Sequence, residues 1–225
     1  MRWLIGLAVL APMTAYAEEE AHPQELFLGE HAWLQSSAEL QLSLLPAYAK
    51  DRWDMGAAAE YGLTSRVQLS LEGTWSDGPN MDALREVEIG ARFGAWRSER
   101  WAVAVGASVT AAMPTDADTE YSVEPQASLS FSQGAIGANL AASGTIASDV
   151  EPCVAVALFA RFGSVIPIIE AGYMEGEFMG RGGLAVQLGS AELGAAVGYG
   201  EELGASVHAT LTWEIGFGDD DDGER

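Results

Sequence analysis

The strongest constraint on the fold is a two-residue alternation of apolar and polar side chains that recurs along most of the chain. It is clearest near the C-terminus, where Leu211 and Trp213 share one face and Thr210 and Thr212 share the other. Because neighbouring side chains of a β-strand point to opposite faces, each such segment predicts a strand with one apolar surface. The predicted strands cover residues 38–49, 53–63, 66–76, 84–95, 100–112, 119–132, 135–146, 151–162, 164–174, 178–189, 190–200 and 203–217.

The lengths of these segments favour a transmembrane barrel. Each has about ten residues, which suits a tilted strand that crosses the hydrocarbon layer of a membrane. We therefore expect an all-β protein, an up-and-down antiparallel transmembrane β-barrel of about twelve strands with short periplasmic turns. Ten strands remain an alternative, because the alternation is weak in the first and ninth segments.

The composition excludes several other classes of protein. The chain has 11 Lys and Arg against 33 Asp and Glu, a net charge of −22, so nucleic acid is not an expected partner, because phosphate binding needs clustered basic residues. Cys153 is the only cysteine, which excludes an internal disulfide and a cysteine-based zinc site. We expect no cofactor and no metal site, and interpret the acidic run at residues 219–222 as a solvated tail.

The N-terminus predicts export. A basic Arg2 precedes an apolar run over residues 3–11, and Ala15-Tyr16-Ala17 supplies a small-residue cleavage pattern, so residues 1–17 are expected to be a signal peptide. The expected divisions are signal peptide 1–17, periplasmic N-terminal stub 18–37, barrel 38–217 and acidic periplasmic tail 218–225, with no plug domain. The expected location is the outer membrane of a Gram-negative cell, and the expected partners are its lipids and its insertion machinery.

Aromatic residues and connections support the same topology. Aromatic side chains gather at strand ends on the apolar face, as two membrane interfaces require. The outer girdle comprises Trp53, Trp75, Tyr121, Tyr173, Phe178 and Tyr199, and the inner girdle comprises Tyr61, Phe93, Trp101, Phe131, Phe162, Trp213 and Phe217. Predicted tight turns alternate with predicted connections that are longer and acidic, such as residues 77–83. The longer connections are expected on the outside of the cell.

Three segments of the first half carry a family resemblance. They are Glu60–Leu69, Glu86–Phe93 and Gly106–Thr115, and they resemble an outer-membrane barrel family first noted in phenol-degradation meta-pathway operons and labelled as transporters. The second half of the chain is typical of barrels in general. The resemblance implies an outer-membrane barrel that passes small molecules, and it implies no set of functional residues.

The polar faces supply the candidate functional residues. Strand parity directs many ionisable side chains into the lumen, and strand direction sorts them by depth. The outer half should hold an acidic vestibule of Glu72, Glu86, Glu88, Glu124 and Glu170. The inner half should hold the mixed charges Glu60, Arg66, Arg92, Arg161 and Glu192. Such a lumen would concentrate cations, whereas charges paired across strands would instead hold a closed barrel together.

Two classes of function follow from this lumen. The first is a passive pore or facilitator for small solutes with an acidic, cation-favouring interior. The alternative is a closed structural or interaction barrel without transport activity. We expect no enzymatic activity: Ser206 and His208 share the inward face, but nucleophilic catalysis also needs a third group that orients the base.

Overall fold

A computed structural model describes residues 23, 26, 31–79, 81–115, 117–147, 150–174, 176–201 and 204–217, without the side chains of residues 81 and 82. The predicted signal peptide, most of the predicted stub and the acidic tail lie outside these residues. The strands are β1 (Glu39–Ala49), β2 (Arg52–Thr64), β3 (Val67–Gly78), β4 (Met81–Arg97), β5 (Trp101–Pro114), β6 (Glu120–Gln133), β7 (Ile136–Ile146), β8 (Val150–Ala160), β9 (Val165–Met174), β10 (Glu177–Leu188), β11 (Ala191–Gly200) and β12 (Gly204–Gly216). Twelve strands are confirmed, and each predicted strand end lies within three residues of the observed one.

The strands close into one antiparallel barrel. Each strand pairs with the next, and β1 also pairs with β12, with Leu44 opposite Leu211. Closure leaves no strand edge with unpaired backbone groups, as a barrel in lipid requires. The end at which β1 begins and β12 ends is called the inner end below, and the opposite end is the outer end. Among the described residues, no helix is long and apolar enough to cross a membrane.

The outer surface of the barrel is apolar. Leu71, Ile89 and Val109 lie side by side on β3, β4 and β5, and their exposed fractions are 52%, 63% and 51%. A soluble protein rarely exposes so continuous an apolar surface to water. An apolar band that faces lipid, with polar side chains inside, is the arrangement that the alternation predicts.

Pairs of aromatic residues mark both ends of this apolar band. At the outer end Trp53 packs edge-on against Trp75, with ring centroids 4.9 Å apart. At the inner end the rings of Trp101 and Phe131 lie 4.7 Å apart. These pairs join neighbouring strands within each predicted girdle, and Trp96, which the sequence analysis omitted, adds another exposed ring near the inner end.

The connections differ from the expected contrast in length. Those at the outer end have two to five residues and those at the inner end two to four. The predicted loop 77–83 is wrong, because β3 runs to Gly78 and β4 starts at Met81. The β1–β2 connection turns on Lys50 and Asp51, both of positive φ, the backbone conformation that a two-residue hairpin needs to match the twist of its strands. The strands therefore extend through regions that looked like loops.

Candidate functional site in the barrel interior

An acidic wall lines the interior on β3, β4 and β6. Glu72 lies directly opposite Glu88, and Glu86 follows on the same face of β4. These three carboxylates are half-buried. Thr74 Oγ1 donates a hydrogen bond to Glu72 Oε1 (3.3 Å), and Thr110 Oγ1 donates one to Glu88 Oε2 (3.1 Å). Hydroxyl groups thus donate hydrogen bonds that hold two of these carboxylates against the wall.

Glu124 extends this wall, whereas Glu170 does not. Glu124 on β6 lies opposite Ser108 of β5, which in turn lies opposite Gly90 of β4. Glu170 stands on β9, far round the barrel, opposite Arg181 of β10, and is only 3% exposed. Glu170 therefore stands apart from the other four carboxylates of the predicted vestibule, because parity places a side chain inside the barrel but does not say on which wall. "Acidic wall" below means Glu72, Glu86, Glu88 and Glu124.

The inner-half charges separate into two groups. Arg66 is a correction: it is exposed in the turn between β2 and β3, because the strand begins one residue later, at Val67. Arg161, just beyond β8, is partly buried, and Glu60 on β2 lies opposite Gln41. Glu192 is 1% exposed, and it lies opposite Thr212. Glu192 is thus packed in the inner half of the barrel, whereas Glu60 and Arg161 are partly exposed.

In the inner half of the barrel, Arg92 contacts a residue that precedes β1. It is 4% exposed, and its Nη2 donates hydrogen bonds to the backbone carbonyl of His31 and to Ser128 Oγ, the latter at 3.3 Å. His31 belongs to the predicted periplasmic stub. Within the described part of that stub, Pro23, Leu26 and residues 31–35 are buried or partly buried inside the barrel, whereas Ser36 and Ser37 are exposed.

This N-terminal segment, defined here as residues 31–37, went unrecognised in the sequence. Ala32 and Trp33 are each 3% exposed and contact Ala102 and Ala104 on β5. The guanidinium carbon of Arg97 lies 4.8 Å from the centre of the Trp33 ring. A usable signal was present, since a solvated stub has no need of the apolar runs at residues 26–28 and 32–34.

Some space remains beside the segment. A cavity of about 220 Å³ lies at the inner end, between the segment and the barrel wall. Its lining includes Gln35, Glu39, Arg97 and Glu214. The inner end is thus narrowed but not packed solid.

A second polar patch, on β12 and β2, lies beside the acidic wall, because β2 pairs with β3. Ser206 Oγ and His208 Nε2 are 2.9 Å apart, and Arg52 forms an ion pair with Asp54 at 2.7 Å. Among the hydrogen bonds of the described residues, the imidazole of His208 has the one with Ser206 Oγ. A hydroxyl and an imidazole within hydrogen-bond reach are two of the groups that nucleophilic catalysis uses.

Comparison with known proteins supports the fold. No protein-family profile matches the chain, and no curated protein matches it, so the resemblance to the phenol-degradation barrels stays a prediction. Among solved structures, the chain resembles the KdgM porin (10% identity, TM-score 0.65, 77% of this chain and 98% of that one). It also resembles the NanC porin (9%, 0.60, 78% and 100%) and the outer-membrane protein Omp33 of Acinetobacter baumannii (8%, 0.53, 79% and 98%).

These likenesses, at identities near one in ten, concern the fold. The fold is that of Gram-negative outer-membrane barrels, and the apolar exterior described above suits the same location. The outer-membrane location expected from the sequence agrees with both.

Proposed function

We propose that this protein is a passive pore or facilitator that lets small solutes cross the outer membrane, with an acidic wall that favours cations. The observation that carries the proposal is the register of β3 and β4, which sets Glu72 directly opposite Glu88. Like charges directly opposite one another destabilise a sheet. A wall with a purely structural role has no reason to bear that cost, whereas a wall that attracts cations does.

The charge balance of the lumen supports the same sign of selectivity. Carboxylates outnumber guanidinium groups among the described inward side chains. The carboxylates are Glu39, Asp54, Glu60, Glu72, Glu86, Glu88, Glu124, Glu170, Glu177, Glu192 and Glu214, and the guanidinium groups are Arg52, Arg92, Arg97, Arg161 and Arg181. An interior with one excess sign of charge raises the local concentration of counter-ions.

The lumen also separates this protein from a porin that it resembles. The KdgM porin has been described in complex with disordered oligogalacturonate, a polyanion. The acidic wall would repel a polyanion. We therefore propose cationic or neutral small solutes for this chain and not the ligand of that neighbour.

A closed structural barrel is the second candidate. The observation in its favour is the N-terminal segment, which occupies part of the inner half of the lumen. The outer connections have at most five residues, which leaves little surface for docking a partner outside the cell. We therefore place this candidate second. An enzymatic role is not proposed.

Ion selectivity in planar bilayers tests the proposal. The refolded wild type should conduct and should prefer potassium over chloride, more strongly at low salt, where the Debye length exceeds its value of about 8 Å at physiological ionic strength. Glu72→Gln with Glu88→Gln keeps the hydrogen-bonding groups but removes two charges, so the reversal potential should move toward zero. Glu99→Gln, in an exposed inner turn, removes one charge away from the acidic wall and is the control.

Two results would contradict the proposal. An open pore whose selectivity is the same with and without the Glu72 and Glu88 charges would exclude the acidic wall as the source of selectivity. Well-folded protein that never conducts, in any variant, would favour the closed barrel.

A further inference from the structure

Residues that precede β1 contact both sides of the barrel interior. Near β9, Leu26 packs against Phe159, Ile166 and Ile168, three inward side chains that are 0–4% exposed. Near β3, the backbone N–H of Gln35 donates a hydrogen bond to Gln68 Oε1 (2.9 Å). Strands β3 and β9 are six positions apart in either direction round the twelve-stranded barrel. Leu26 and Gln35 therefore lie at opposite walls.

Directed contacts hold the segment in place between these walls. The backbone N–H of Ala32 donates to Ser130 Oγ on β6 (2.7 Å), and Gln35 Nε2 donates to Gln41 Oε1 on β1. Arg92 binds the carbonyl of His31 as described above. Buried backbone groups and side chains thus find partners on the wall, so the inner lumen acts as a fitted binding site for an extended peptide.

The wall also makes room for the segment. A Cβ at Gly62 would overlap the carbonyl oxygen of Ser36 and lie 2.8 Å from its carbonyl carbon. A Cβ at Gly94 would lie 3.4 Å from Leu34 Cδ1. At Gly62 only glycine permits this close approach of two backbones.

The diameter of the barrel determines how far a peptide inside it obstructs the lumen. Eight-stranded barrels are filled by their own side chains, and barrels of sixteen strands or more leave an aqueous channel. A twelve-stranded barrel lies between them, so a peptide that crosses it obstructs much of its section. We propose that residues 31–37 are a built-in plug that closes the inner mouth, and that solutes pass when the plug leaves its site. This rests on the proposed function, because a plug matters only in a pore.

The substitution Gly62→Ala tests the plug, because the new methyl group and the Ser36 carbonyl cannot occupy the same place. Conductance should rise severalfold over wild type. Gly73→Ala is the matched control: it also lies in a strand, but its Cβ would meet its nearest heavy atom, Glu86 O, at 3.9 Å. This variant should conduct as wild type does.

A second readout follows the plug itself. In a Cys153→Ser background, Ala32→Cys places a thiol at a site that is 3% exposed. A membrane-impermeant maleimide should label it slowly, and much faster once Gly62→Ala is added. If the thiol becomes reactive while conductance stays at the wild-type value, the segment does not close the mouth and the inference is overturned.

A reversible disulfide between the segment and the barrel wall tests the plug even if Gly62→Ala fails to fold. Ala32→Cys with Ser130→Cys, again without Cys153, joins two residues whose backbone and side chain already touch. The oxidised protein should conduct less than wild type, and a reductant should restore conductance. Equal conductance in both redox states overturns the plug but leaves the pore intact. An absence of conductance in all variants, labelled or reduced, overturns the proposed function as well.

Discussion

An arginine in the middle of the apolar exterior should destabilise the barrel strongly. Ile89 is the best position, because it lies midway along β4, between Leu71 and Val109, and is 63% exposed on the outer face. In a membrane this exposure is to hydrocarbon. An arginine on the lipid face costs about 2–4 kcal/mol at the midplane. For Ile89→Arg we therefore expect the folding equilibrium constant to fall about 30- to 700-fold.

The chain offers a closely matched control. Ile136 is the first residue of β7, next to the turn at Gly134, and is 64% exposed. Ile136 has the same side chain as Ile89 and nearly the same exposed fraction, so the two positions differ in their depth in the membrane. An arginine near the interface costs about 0–1 kcal/mol, so Ile136→Arg should unfold at nearly the wild-type urea concentration.

Equilibrium unfolding in urea from lipid vesicles measures both free energies. The two variants must show the same denaturant dependence as wild type, so that shifts in midpoint report stability. Equal losses in the two variants would mean that depth has no effect, and the membrane-facing reading of the exterior would be refuted. A larger loss for Ile136→Arg would refute the placement of the midplane.

Two further predictions concern packing inside the barrel. Gly183→Ala should lower the free energy of unfolding by about 1–3 kcal/mol, because its Cβ would lie 2.7 Å from Ala196 Cβ. Gly182→Ala is the control: its Cβ would meet no heavy atom within 4 Å, so this variant should unfold in urea as wild type does. Ser130→Ala should lower the free energy of unfolding by about 1–3 kcal/mol. The reason is that Ser130 Oγ accepts a hydrogen bond from the N–H of Ala32 and donates one to Asn139 Oδ1, each at 2.7 Å. An unchanged urea midpoint would show that the N–H of Ala32 needs no protein partner.

Most of the barrel wall was predictable from the sequence because the signal is local. Alternation with a period of two determines which side chains face lipid, and segment lengths of about ten residues identify the membrane-crossing strands. Aromatic residues at strand ends fix the interfaces. One error at this level, Arg66, lay at a strand end, where the turn between β2 and β3 takes the residue out of the alternation.

The sequence alone thus determined a twelve-stranded wall with its two faces, and the tertiary structure decided what that wall encloses. Parity sends Glu72 and Glu170 inward alike, but only closure shows that they stand on different walls, the latter beside Arg181. The N-terminal segment carries no alternation, and Ala32 meets Ser130 across 98 residues of chain. Contacts between positions so distant depend on how the sheet curves and closes, and a local pattern carries no record of that geometry.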